Sequence, residues 1–332
     1  MYKKIALAVG FVAAGILPGA AAEITMGHGD PGGEWYTSMN QAASVLFESI
    51  LESEAEADLT VNVYPAGQLG SEADLLQSVQ SGAVQVAMAA ATFSSVCPEA
   101  AVFDVPYLFS SEPDAWQLLD GPIGTKLRDI CIERAGVRIL GYGESGFRHF
   151  TNSRGPISGP SDLSGLKVRV MQAPQYIEML SALGAEPTPI PFPDLPAALA
   201  TGVVDGQENP ISVIVYGKLY ESQDYLSLDG HTYTVAFMLI NEDFFQSLTA
   251  DQQALVERAG KASMMMHRSI QQLNSAQGLT ELTEQGMQVN RPDADSIAEF
   301  KAVTQPAVID WLRTTDADQN FIDEVLDAAQ SQ

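Results

Sequence analysis

Residues 165–210 read GLKVRVMQAPQYIEMLSALGAEPTPIPFPDLPAALATGVVDGQENP. Lys167-Val168-Arg169-Val170 is a β-rich run whose alternation sets Lys167 and Arg169 on one face and Val168 and Val170 on the other. A helix is predicted over Pro174 to Leu183, stopped by Gly184. Pro187, Pro189, Pro191 and Pro193 then hold an extended connection. A second short helix, about Leu195 to Thr201, precedes Gly202, the buried-looking pair Val203-Val204, and the run Asp205-Gly206-Gln207-Glu208-Asn209-Pro210. The unit is β-α-loop-α-β. In an open α/β sheet ligands bind beyond the strand ends. Here one strand offers the Arg169 guanidinium and the other the Asn209 amide, a pair suited to a carboxylate.

The whole chain has 332 residues, enough for two domains. Its net charge of −25 argues against nucleic acid as a partner, because that affinity comes from Lys and Arg neutralising phosphates. A mean hydropathy of +0.02 is too low for a polytopic membrane protein. Lys3 and Lys4, an apolar run from Ile5 to Leu17 and Ala20-Ala21-Ala22 form a leader, with cleavage expected after Ala22 and export to the periplasm. Cys97 and Cys131 suit that compartment, as a bridge or as two buried thiols. Two cysteines and scattered histidines make no metal site, and no cofactor is expected.

Gly27-His28-Gly29-Asp30-Pro31-Gly32-Gly33 contains a formal G-x-G-x-x-G, the dinucleotide fingerprint. Pro31 sits inside the turn, and the next strand, Leu59 to Tyr64, ends without an acid to hold a ribose, so that reading fails. The segment reads instead as a loop at a cleft mouth. His28, Glu34 and Trp35 are candidate pocket residues there, with loop packing or solvent exposure as the alternative for each. A helix from Trp35 to about Glu52 follows, and Ser71 caps another whose first turn holds Glu72, either a dipole partner or a pocket residue. Val84 to Ala91 is a strand ending at Thr92. Val137 to Gly141 leads to the stretch Gly143 to Asn152. His231 to Ile240 is a returning strand on which Tyr233 and Phe237 are pocket candidates. Asp251 to about Gln285 is one very long helix.

The motifs GLKVRV, LGAEPTP and ALATGVVDGQENP, with VYPAGQLGSEADLLQSVQSGAVQVA and PEAAVFDVPYLF, resemble in order and spacing the periplasmic solute-binding proteins of TRAP (tripartite ATP-independent periplasmic) transporters. The resemblance implies a two-lobed α/β fold of periplasmic-binding-protein type, its discontinuous domains joined by crossing strands and a long spanning helix. The expected lobes are 23–145 with about 232–273, and 146–231 with about 274–332, with the ligand cleft between them. It also implies a small organic acid as ligand and TRAP membrane subunits as partners. Arg169 and Asn209 then hold the carboxylate, Phe192 makes an apolar wall, and Arg148, on the crossover strand, contacts a second acidic or polar group. Ala90 and Pro196 depart from the family's usual polar and aromatic residues. The ligand is therefore open among a C4-dicarboxylate, a 2-oxo or hydroxy acid, a sugar acid and a zwitterion such as ectoine. The competing reading is an exported enzyme on an acidic substrate, with Asp205 and Glu208 as paired carboxylates; the chain lacks G-x-S-x-G and H-E-x-x-H. A ligand sensor of a signalling system shares the same fold.

Overall fold

A computed structural model describes residues 22–34 and 36–331. Residues 1–21 lie outside the described residues, and so does Trp35. In chain order the strands are β1 (Ala22–Gly27), β2 (Leu59–Tyr64), β3 (Val86–Ala89), β4 (Val137–Phe147), β5 (His149–Asn152) and β6 (Lys167–Val170). They continue with β7 (Glu186–Pro189), β8 (Gly206–Asn209), β9 (Tyr225–Ser227), β10 (Tyr233–Asn241) and β11 (Gln288–Asn290). These build two sheets, ordered β2-β1-β3-β10-β4 and β11-β9-β5-β8-β6-β7, one in each lobe.

Two of the chain's passages between the sheets are short links from strand to strand. Arg148 alone separates β4 from β5, and residues 228–232 separate β9 from β10. The Arg148 amide donates to the Thr232 carbonyl at 2.9 Å, so the two crossings run side by side. Both are strand continuations, which makes the joint narrow and ordered.

Helix Ala250–Glu284 spans the lobes, starting from a capping box of Thr249 and Gln252. It packs on helix Met39–Ser53 and on β4 in the first lobe, then on helix Ile211–Tyr216 in the second. Two glycines permit the close approach. A Cβ at Gly260 would stand 2.6 Å from Leu140 Cβ, and one at Gly278 would stand 2.7 Å from Ile211 Cγ2.

Of the two states open to Cys97 and Cys131, the bridge is formed, with Cα atoms 5.5 Å apart. It ties the segment entering 3₁₀ helix Pro98–Asp104 to helix Pro122–Ala135. At a sequence separation of 34, closing the loop in the unfolded chain contributes about 4 kcal/mol on the chain-entropy account.

Three local expectations change. The first long helix starts at Met39, because Ser38 Oγ accepts the Gln41 amide and caps it there. Val203 is 55% exposed, in a turn, while every residue of β8 after it is buried. The last helix, Gln319–Gln330, expected in the second lobe, packs on the first-lobe segments Pro98–Asp104 and Glu112–Leu119. Its apolar stripe of Phe321, Ile322, Val325 and Leu326 is buried there, with Phe321 edge-on to Phe103.

Candidate ligand-binding cleft

A cavity of about 80 Å³ lies where the strand ends of the two lobes face each other. Second-lobe residues on its wall include Arg169, Gln172, Phe192, Asn209 and Tyr216; first-lobe residues include Asp30, Glu72, Thr92 and Ala236. Arg148 lines it at the joint.

Arg169 is 1% exposed. β6 delivers it between the buried Val168 and Val170, and β6 pairs with both β7 and β8, so the side chain has little freedom of placement. Its Nε donates to the Ile190 carbonyl at 2.8 Å. Its Nη1 is buried and has no hydrogen-bond partner. Among the described residues no carboxylate lies within ion-pairing distance of it. Burial pushes its pKa down to about 10, against the pull of Glu208 and Glu72. A buried guanidinium with an unused donor is costly unless an anion completes it.

Arg148 is equally buried, and its charge is paired. Its Nε donates to Glu208 Oε2 at 2.5 Å, and its Nη2 donates to Glu208 Oε1 at 2.9 Å and to the Glu208 carbonyl at 2.6 Å. The same Nη2 reaches Asn209 Oδ1 at 3.0 Å. On its far side Glu208 Oε2 meets His231 Nε2 at 3.2 Å, and His231 Nδ1 meets Asp229 Oδ2 at 2.8 Å. Burial opposes charge on His231, but Asp229 and then Glu208 outweigh it and raise its pKa to about 9. Burial alone would lift the Glu208 carboxyl; Arg148 and His231 hold it below its ordinary value. The chain Arg148–Glu208–His231–Asp229 therefore alternates in charge across the joint. Arg148, expected to contact a second acidic or polar group, does line the cavity, with its charge balanced by Glu208.

Asn209 donates from Nδ2 to Gln207 Oε1, while Gln207 Nε2 donates to Thr151 Oγ1 at 2.8 Å. The amide is thus oriented, with a second Nδ2 hydrogen still available. Phe192 meets Tyr216 edge to face at 5.8 Å, and both rings wall the cavity. Across the cleft, Glu72 Oε1 accepts the Ala90 amide at 2.7 Å at the end of β3. Glu72 therefore serves both readings, opening a helix and facing the cavity. Asp205 is structural: it accepts the Lys167 amide at 3.0 Å and Arg154 Nη2 at 2.6 Å.

Four sequence-level candidates are not on the wall. Tyr233 and Phe237 share one face of β10 and turn into the first-lobe core. Tyr233 packs on Phe109 and Phe147, and Phe237 on Phe93 and Tyr142. Strand alternation sends Ala236 to the cavity instead. Glu34 is exposed on its loop. His28 is fully buried behind the wall, and neither ring nitrogen has a hydrogen-bond partner. The sequence reading missed Asp30, which stands in the rejected glycine-rich loop, and Tyr216, which was read only for its helical spacing to Tyr220. Tyr216 Oη donates to Asp30 Oδ1 at 3.1 Å, a contact between lobes. A carboxylate in a loop leaving a strand end was the available signal for Asp30.

Two lobes, a strand-built joint and an incompletely paired cation in the cleft define a solute-binding protein. The family model described as bacterial extracellular solute-binding protein, family 7 (DctP), matches residues 35–314. The chain is 34% identical over 228 residues to the 2,3-diketo-L-gulonate-binding periplasmic protein YiaO of Escherichia coli (strain K12), covering 68% of this chain and 69% of that one. The sugar acid binding protein DctPAm from Advenella mimigardefordensis strain DPN7T, solved with galactonate, matches with a TM-score of 0.86 at 32% identity over 93% of this chain and 98% of that one. A TRAP periplasmic solute binding protein from Polaromonas sp JS666 bound to D-erythronate matches with a TM-score of 0.85 at 30% identity, again over 93% and 98%. The chain belongs to this family, the solute-binding proteins of TRAP transport systems.

Proposed function

We propose that the chain captures a small organic acid in the periplasm and delivers it to TRAP membrane subunits, without chemically changing it. The observation that carries this reading is the buried Arg169, whose Nη1 has no partner of its own. A ligand carboxylate supplies the missing acceptors, in two-donor geometry, and Asn209 adds a hydrogen bond from the neighbouring strand. Contacts from both lobes to one ligand favour the closed state, since a ligand shifts the equilibrium by its differential affinity for the two forms. The relatives described above carry sugar acids or a diketo sugar acid in their names, which supports a carboxylate at this site. Export rests on the leader of residues 1–22, cleaved after Ala22. No described helix is long and apolar enough to cross a membrane.

The test is a thermal-shift screen of the mature protein against organic acids, followed by recovery of the ligand. A ligand that binds only the native state raises the melting temperature. One carboxylate per chain, recovered unchanged, is expected. Catalytic conversion of the acid would favour the enzyme reading, and stabilisation only by uncharged molecules would overturn the carboxylate reading.

A further inference from the structure

Asp30 is 6% exposed, lines the cavity and uses only one of its carboxylate oxygens. Oδ1 accepts from Tyr216; Oδ2 is buried with no hydrogen-bond partner. Glu72 faces the same space from the first lobe. Burial raises both carboxyls above their ordinary values, and the hydrogen bonds each accepts pull the other way. Arg148 is answered by Glu208, and the His267 ring is held neutral by burial, its pKa pushed down to about 3. The acid and base groups that face the cavity without an opposite partner are therefore one guanidinium, on the second lobe, and two carboxyls, on the first.

We propose, building on the carboxylate reading of Arg169, that the ligand is a zwitterion, with a cationic nitrogen held by Asp30, beside Glu72, and its carboxylate on Arg169. A plain or hydroxylated acid adds net negative charge to a desolvated space that already holds two acidic side chains. A zwitterion adds none, and it gives Oδ2 the donor it lacks. Phe192 and Tyr216 stand beside Asp30 as aromatic walls, which attract a cation through their ring faces. Burial raises the Asp30 carboxyl above its ordinary value, as expected for a buried acid that lacks a full cationic partner. An ammonium and a cyclic amidinium share this chemistry.

The experiment is calorimetric titration of the mature wild type and Asp30→Asn with matched probes. These are 2-, 3- and 4-amino acids, a cyclic amidinium carboxylate, the corresponding hydroxy and unsubstituted acids, and aldonates. The tightest probe should carry a cationic nitrogen, and its position and type separate the two nitrogen sources. Asp30→Asn, which retains a side-chain oxygen for Tyr216, should weaken that probe by at least about tenfold, because a desolvated charge pair is lost. Hydroxy acids should change little, since the amide oxygen still accepts from a hydroxyl. Tightest binding of a hydroxy acid or aldonate, with Arg169 still required, overturns the zwitterion and leaves the carboxylate reading standing. Equal weakening of every probe by Asp30→Asn also overturns it. If no carboxylate binds at all, the reading of Arg169 fails first, and the zwitterion fails with it. Circular dichroism of Asp30→Asn separates loss of the nitrogen contact from loss of the fold.

Discussion

Replacing Arg169 with Lys is expected to weaken ligand binding by roughly 30- to several-thousand-fold, corresponding to about 2–5 kcal/mol, with the fold retained. The expectation follows from what surrounds the side chain. The guanidinium is 1% exposed, its Nε is spent on the Ile190 carbonyl, and its Nη1 is unused. A lysine ammonium is a point donor on a flexible stem and cannot hold Ile190 and two carboxylate oxygens in one plane. No protein carboxylate is left unpaired by the change, so stability should fall little. Calorimetric titration of both proteins with the tightest ligand reads the effect, and denaturant unfolding provides the control. Unchanged affinity in Arg169→Lys would make the arginine a structural group.

The second large effect falls on stability. Glu208→Gln should destabilise the protein by about 3–5 kcal/mol, because it removes the carboxylate between two buried cations. The glutamine oxygen still accepts a bond from Arg148, but the charge that balances Arg148 and faces His231 Nε2 is lost. The effect has a pH signature. The Glu208 pKa is depressed in the fold, so its contribution is full above the ordinary value of 4.5 and is lost as pH falls through the lower folded value. The His231 pKa is raised, so its contribution is full below 6.5 and is lost as pH rises through about 9. Both operate between about pH 4.5 and 6.5, where the gap between wild type and Glu208→Gln should be widest. Denaturant unfolding at pH 3, 5.5 and 9.5 checks this. A gap independent of pH would mean that the cluster acts through packing alone.

Much of this was legible in the chain because the decisive unit is local. Lys167–Val170 is a strand as read, since alternation and a following proline-led helix leave little else for it to be. The spanning helix, Ala250–Glu284, was read as one unbroken stretch from Asp251 to about Gln285. What was not legible depended on pairing between distant segments. β10 is buried along its whole length, so hydrophobicity did not distinguish Tyr233 and Phe237, which face the core, from Ala236, which faces the cavity. The final helix carries an amphipathic stripe whose partner, Pro98–Asp104, lies more than two hundred residues earlier. Arg148 was assigned to the ligand from the family resemblance; its carboxylate partner, Glu208, was in plain view in the quoted stretch but on another strand. Asp30 was obscured by the glycines around it.

The central claim is that Arg169 receives the ligand's carboxylate in the cleft between the lobes. A crystal structure of the protein with the tightest ligand from the screen tests it most directly. The account predicts a carboxylate oxygen within hydrogen-bond distance of Arg169 Nη1, with the ligand touching both lobes. An uncharged end of the ligand at Arg169, or a ligand seated elsewhere while Arg169 pairs with a protein carboxylate, would contradict it.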